Sequence, residues 1–254
     1  MNNPILLFYP EPLKPVPSSR VSKVCKEHNI PFHNDPLKPY DLHIFWSYTP
    51  RCIVPDAFTL TDKDVINRGC WDIGKQKVND IFNDISIDPE THVGLCVEKW
   101  DMQGRNGRHH LITCPARRRE GFIYQRYIRD KKNGLFVKYR IFYADGIDFI
   151  LLSKKKGVFD SEYICSENVI VNKEDFFTPE SEALFNENCR RFGIDYGDIE
   201  FMSDNGEPVI IDVNNVAGDH LPIKYFGERI TRRKDNVFLN FIKRRYARIK
   251  TENP

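Results

Sequence analysis

Apolar runs divide the chain into recognisable elements. Ile5-Leu6-Leu7-Phe8-Tyr9 reads as a short strand, and the proline-rich stretch from Pro10 to Pro17 as a loop. Val21, Val24, Cys25 and His28 recur at i, i+3, i+4 and i+7, the period of one helical face, with Ser18 or Ser19 as cap and Asn29 as stop. Leu42-His43-Ile44-Phe45-Trp46 is a second strand, so the opening reads β-α-β. Residues 62–83 predict a turn followed by a helix whose apolar set is Ile73, Val78, Ile81 and Phe82. Strands follow at 93–99, 122–128, 137–143 and 149–152, with a polar, glycine-bearing loop at 101–110. Residues 153–178 show no clear pattern. Thr178-Pro179 opens a helix by a hydroxyl cap with proline at the first helical position, Glu180 and Glu182 suit its positive dipole end, and Gly193 closes it. Residues 199–203 and 209–213 form a hairpin around Asp204-Asn205-Gly206. A last helix runs from about Thr231, carrying Phe238, Phe241, Ile242, Arg245 and Ile249 on one stripe.

The composition, 41% hydrophobic and 29% charged in 254 residues, excludes collagen-like and disordered chains. The net charge of +2 hides a polarity. Residues 229–250 hold nine Lys/Arg and one acid, a local +8, which leaves −6 for everything else. The apolar stripe of that segment predicts a terminal helix docked by one face, with its cations in water. No apolar run approaches the ~18 residues of a membrane span, and the N-terminal residues show no signal-peptide pattern. The seven Cys contain no C-x-x-C pair, which predicts reduced, mostly buried thiols and a cytoplasmic protein. No Gly-x-Gly-x-x-Gly follows the first strand, and His109-His110 lacks the spacing of a metal pair.

Candidate chemistry concentrates in the hairpin. Glu200, Asp212 and Asn214 interrupt apolar strands, and Asp212 and Asn214 point to one face. Glu200 and Asp212 stand opposite each other if the hairpin is centred on Gly206, which calls for a three- or five-residue loop; a two-residue turn at Asn205-Gly206 puts Asp212 on the other face. Two facing carboxylates need positive charge between them, and Mg²⁺ bridging to phosphates suits that need. Lys75 follows Asp72-Ile73-Gly74 just before a helix, and Lys99 ends a strand ahead of the Gly104/Gly107 loop. Either lysine taken alone reads first as a solvated surface residue; the alternative is a phosphate-binding arrangement, an ammonium beside backbone N–H groups. Arg140 within an apolar strand reads equally as an ion pair or a phosphate clamp.

The order of these features resembles the ATP-grasp superfamily. It runs from Asp72-Ile73-Gly74-Lys75 through Val97-Glu98-Lys99, the glycine loop and Tyr124-Gln125-Arg126-Tyr127-Ile128 to Arg140, Glu200 and Ile211-Asp212-Val213-Asn214. The likeness is to short bacterial ATP-grasp proteins and, more distantly, to glutamate ligases that extend peptides. It implies an α+β ATP-grasp domain over residues 60–226, a small α/β domain at 1–59 before it, and a basic helix at 227–254 packed on it. It implies that Lys75 and Lys99 bind phosphates, that Gly104 and Gly107 form a phosphate lid, and that Gln125, Arg126, Tyr127 and Ile128 form the adenine hinge. Asp130 stands as the ribose acid, Arg140 as the catalytic clamp, and Glu200, Asp212 and Asn214 as Mg²⁺ ligands. The first metal carboxylate of the family is usually Asp and the second Glu, and here the two are exchanged.

The implied activity is ATP- and Mg²⁺-dependent joining of a small or peptide carboxylate to an amine or thiol through an acyl phosphate. Its alternatives are a kinase-type phosphotransferase and a catalytically silent nucleotide-binding module. A membrane is not an expected partner. Nor is a nucleic acid, because Arg117-Arg118-Arg119 and Lys154-Lys155-Lys156 lack interleaved stacking aromatics.

Overall fold

The computed structural model describes residues 3–10, 20–47, 51–52, 65–82, 85–101, 109–157, 165, 167–216 and 223–252. Ser18, Ser19, most of the proline-rich loop and both lid glycines, Gly104 and Gly107, lie outside the described residues.

The β-α-β opening forms β1 (Leu6–Pro10), α1 (Arg20–Glu27), β2 (Phe32–His33) and β3 (Leu42–Trp46). With β4 (Val65–Ile66) they make a parallel sheet in the order β2-β1-β3-β4. A parallel sheet is covered on both faces, which is why all five residues of β3 are buried without alternation. α1 buries Val21, Val24 and Cys25 against it, and Asn29 ends that turn with φ 54°.

α2 (Lys75–Phe82) leads to a three-stranded antiparallel sheet ordered β6-β5-β7, with β5 at Gly94–Trp100, β6 at His109–Cys114 and β7 at Phe122–Arg126. Cys96, Cys114, Phe122 and Tyr124 form its own small core. β6 has no counterpart in the hydrophobic pattern, because five of its six residues are only partly buried or exposed.

The largest sheet is ordered β11-β10-β9-β12-β13, with β8 (Lys131–Lys132) on β9. β9 is Leu135–Ala144, β10 Ile147–Lys155, β11 Glu167–Val171, β12 Tyr196–Asp204 and β13 Glu207–Asn214. The stretch that showed no pattern, 153–178, thus holds the end of β10, all of β11 and a 3₁₀ turn at Lys173–Asp175. β11 is an edge strand of partly exposed residues, so its polar positions do not alternate cleanly.

The two faces of this sheet differ. Tyr139, Ile141, Tyr143, Ile199, Phe201 and Val213 join Phe185, Cys189 and Phe192 of α3 (Pro179–Phe192) and Val78 of α2 in one core. α3 has the expected ends: the Thr178 hydroxyl accepts from the Ser181 N–H, Pro179 opens the helix, and Gly193 closes it at φ 84°. A Cβ on Gly193 would stand 2.4 Å from the Gly69 Cα, so glycine is required by contact as well as by conformation. On the other face, Phe142, Ala144, Phe149, Leu151 and Tyr196 pack with the parallel sheet and with α4 (Ile223–Glu252). α4 begins earlier than Thr231 and is broken at Gly227, where φ 75° and ψ 163° are non-helical. Its stripe of Phe238, Phe241 and Ile242 is buried, while Arg229, Arg232, Arg233, Lys243, Arg244, Arg248 and Lys250 face water. Lys234 and Arg245 are buried instead, and Arg245 bridges Asp145 and Asp195.

All seven cysteines are free thiols, five of them buried. Among the described residues no helix is long and apolar enough to cross a membrane.

Candidate functional site

The hairpin solves its register problem differently from the expected three- or five-residue loop. Asp204 pairs with Glu207, so the turn is the two-residue Asn205-Gly206, with φ 54° and 95°. Those positive angles define the turn that matches strand twist, and Gly206 adopts its value without steric cost. A regular ladder from this turn would oppose Glu200 to Ile211 and send Asp212 to the other face. A β-bulge between Glu200 and Phe201 prevents this: Phe201 pairs with Ile210, but Glu200 pairs with Asp212. Ile211 is the inserted residue. It packs with Met202 and Val209, on the face that also carries Asp212. The bulge re-aims a carboxylate by one position.

Period 2 then builds the rest of the site. Lys138 and Arg140 on β9 share their face with Phe142. Glu200 lies directly across from Arg140 on β12, and Asp198 across from Asn214 on β13. Arg140 spans two acids, Nη1 to Asp198 Oδ1 at 2.8 Å and Nη2 to Glu200 Oε1 at 2.5 Å. Lys138 Nζ also meets Glu200 Oε1, at 2.9 Å. Asn214 Nδ2 donates to Asp198 Oδ1 at 3.0 Å. Lys75, the first residue of α2, reaches across to Asp212 Oδ1 at 2.7 Å. Gly74 N–H donates to Asp72 Oδ1 at 2.7 Å, which fixes the turn that aims Lys75. Lys99 Nζ donates to the Ile211 carbonyl, at 3.4 Å. The positive charge expected between the two carboxylates is therefore supplied by the protein's own Lys75, Lys138 and Arg140.

Burial strengthens these interactions. Lys99 is pushed down to about 7, first by burial and then by the Lys75 charge, against the pull of Asp212 and Glu200. Burial also works on Asp212 in the upward direction, but the charge and hydrogen bond of Lys75, with Lys99 beyond, outweigh it and hold the carboxyl below its ordinary range. His109 stands opposite Lys99 on β6. Burial, then Lys99 and Lys75, lower it to about 3, so it is a neutral imidazole at pH 7.

The hinge segment lies at the end of β7. Gln125 is buried, its Nε2 donating to Asn79 Oδ1 at 2.5 Å. Arg126 donates its backbone N–H to the Ile85 carbonyl at 2.9 Å, and its Nη1 pairs with Asp204 Oδ2 at 2.6 Å, linking the small sheet to the hairpin. Ile128 packs with Ile85, Val209, Met202 and Ile211, an apolar cluster that spans both sheets. Among the described residues the backbone N–H groups of Tyr127 and Ile128 meet no acceptor. Asp130 accepts the Ser203 N–H on Oδ2 at 3.0 Å, and burial raises its carboxyl despite that bond and Lys132.

The structure brings Lys75, Lys99, Arg140, Glu200, Asp212 and Asn214 into one connected set, with Ile128 packed on its Ile211 side, while Gln125 bonds Asn79 and Arg126 pairs with Asp204 at the hairpin tip. Asp130 sits beyond, beside β12. Sequence reasoning missed Asp198, Lys138 and His109. Asp198 and Lys138 were legible only as alternation partners of Glu200 and Arg140, and His109 only as the residue opposite Lys99.

Among the described residues no group of three or more His, Cys, Asp or Glu forms a metal cluster by itself. The donors nevertheless fit Mg²⁺, which takes hard oxygens, usually one or two carboxylates completed by substrate phosphates. Glu200 and Asp212 supply carboxylate oxygens. Asn214 has its amide nitrogen committed to Asp198, which turns its oxygen away from that carboxylate.

No protein-family model matches the chain, and no curated protein matches it. Solved structures do. The chain is similar to D-alanine–D-alanine ligase from Bacillus anthracis, with TM-score 0.53 and 10% identity over 100% of both chains. It is similar to the ATP-grasp ligase PsnB complexed with minimal precursor, with TM-score 0.57 and 12% identity over 95% of this chain and 99% of that one. It is also similar to a RimK-domain ATP-grasp protein from Sphaerobacter thermophilus, with TM-score 0.52 and 8% identity over 94% and 99%. The parallel opening sheet, the small antiparallel sheet and the large sheet with its acidic hairpin together give this chain the ATP-grasp fold.

Proposed function

We propose that the chain is an ATP- and Mg²⁺-dependent ligase that joins a carboxylate, small or peptide-borne, to an amine or thiol through an acyl phosphate. The observation that carries the reading is the cross-strand set of Arg140, Glu200, Asp212 and Asn214 facing Lys75 and Lys99. The fold supports it, since the similar structures include ligases, one of them solved with Mg and ADP.

Each residue has a role that its position allows. The N–H groups of Tyr127 and Ile128 read the adenine edge, while Ile128, Met202 and Ile211 offer it an apolar wall. Lys99 and Lys75 take phosphate oxygens, Lys75 exchanging its bond to Asp212 for one to phosphate. Glu200, Asp212 and Asn214 hold Mg²⁺, which neutralises phosphate charge when bound. Arg140 lies beside them with a planar fork suited to the transferring phosphoryl group. A substrate carboxylate aligned there attacks the γ-phosphorus and expels ADP, and the amine or thiol then attacks the acyl carbon, expelling phosphate and losing its proton. The protein contributes alignment and charge neutralisation.

Hydroxylamine trapping tests this. With Mg-ATP and pools of amino acids or peptides, an acyl phosphate yields a hydroxamate together with ADP and phosphate, and Asp212→Asn abolishes both. A phosphorylated product without phosphate release would replace the ligase by a kinase. Nucleotide turnover unaffected by Asp212→Asn would remove the metal site.

A further inference from the structure

Asp198 is fully buried, at 0% exposure, on β12. Burying a carboxylate is costly unless it is paired, and Arg140 and Asn214 are among its partners, at 2.8 and 3.0 Å on the same oxygen, Oδ1. We infer that Asp198 is a positioning residue that orients Asn214 toward the metal and retains Arg140 when Glu200 turns to it. The inference rests on the Mg-ATP reading above.

Two geometrical facts carry it. First, an asparagine amide presents an oxygen on one side and an NH₂ on the other. Asp198 lies directly across the ladder from Asn214 and accepts its Nδ2. The flipped amide would set oxygen against carboxylate, so Asp198 selects the orientation in which the Asn214 oxygen is the free donor. Second, Arg140 shares its fork between Asp198 and Glu200, and Glu200 also holds Lys138. A cation drawn to Glu200 repels the guanidinium. Asp198, on the far side of the fork, keeps one ion pair intact and so keeps Arg140 beside the phosphates. Outer partners of this kind typically tune metal affinity 10–100-fold.

The test is ADP binding by calorimetry on the full chain, once with Mg²⁺ titrated and once in EDTA. Asp198→Asn keeps the volume and removes the charge. It should weaken the apparent Mg²⁺ affinity of the ADP complex about 10–100-fold, while ADP affinity in EDTA stays within about twofold of wild type. The exchange Asp198→Asn with Asn214→Asp restores the hydrogen bond with reversed polarity and should recover at least part of the Mg²⁺ affinity; it also serves if the single variant does not fold. Unchanged Mg²⁺ dependence in Asp198→Asn would overturn the inference. So would equal losses with and without Mg²⁺, or an exchange variant no better than the single one. A wild-type chain that binds no Mg-ADP would instead remove the ATP reading and this inference with it.

Discussion

The Lys99 amine should take up a proton when nucleotide binds. Its value of about 7 comes from burial and from Lys75. Phosphate oxygens arriving at Lys99 add negative charge and drive it back toward the ordinary lysine range near 10. At pH 8, one unit above its value, only about one Lys99 in ten carries the proton before binding. Binding ADP should then capture about 0.9 proton at pH 8, about 0.5 at pH 7 and about 0.1 at pH 6. Affinity should fall about tenfold, or 1.4 kcal/mol, per pH unit above 7. Calorimetry in two buffers of different ionisation enthalpy measures the uptake directly. Lys99→Met should remove it. The stability sign is opposite to that of a helpful ion pair. Folded Lys99 binds fewer protons than unfolded Lys99 between pH 7 and about 10, so wild-type stability rises with pH across that window. Lys99→Met should therefore raise the melting temperature most at pH 7 and below, with the gain shrinking toward pH 10. Absence of uptake at pH 8, or equal uptake by Lys99→Met, would show that Lys99 is not the group protonated on binding.

Three further outcomes follow from other contacts. Gly193→Ala meets the Gly69 backbone and an unfavourable φ of 84°; the conformation alone costs roughly 1–2 kcal/mol, so urea unfolding should shift by more than that. Asn67 is fully buried; its side chain bonds the Asp195 and Tyr196 N–H groups and the Tyr196 and Asn215 carbonyls, tying the parallel sheet to the start of β12 and the end of β13. Asn67→Ala strands several of these groups at about 1–3 kcal/mol each, so it should lose at least about 3 kcal/mol in chemical denaturation. Arg140→Lys keeps the charge but cannot span Asp198 and Glu200 together, and ATP turnover should fall about 10²-fold or more, while ADP affinity in EDTA changes little.

What was legible in the sequence was local. The Thr178-Pro179 start and Gly193 stop of α3, the β-α-β opening and the stripe of α4 each depend on residues within a few positions, and each appears in the structure. That a hairpin turns at Asp204-Asn205-Gly206 was legible too, but its two-residue loop and the bulge at Ile211 that compensates for it were not. A bulge is decided by what the paired strand buries, here Phe201 against Ile210, and that information lies across the ladder. β6 and β11 were missed for the same reason, being half-exposed strands recognised by partners rather than by alternation. Asp198 and Lys138 gained meaning only when β9, β12 and β13 lay side by side. The candidate metal residues stand out because acids in apolar strands are rare, whereas Asp198 follows Gly197 in a more polar stretch, where an acid is unremarkable.

The central claim is that Lys75, Lys99, Arg140 and the bulged hairpin form one Mg-ATP site. A crystal structure of the full chain with a non-hydrolysable ATP analogue and Mg²⁺ tests it most directly. Adenine should lie against Tyr127 and Ile128, the phosphates on Lys75 and Lys99, and the metal about 2.0–2.1 Å from oxygens of Glu200, Asp212 or Asn214. The Lys75–Asp212 bond should be opened and Arg140 still held by Asp198. Nucleotide bound elsewhere, or a metal that ignores the hairpin while Lys75 stays on Asp212, would contradict it.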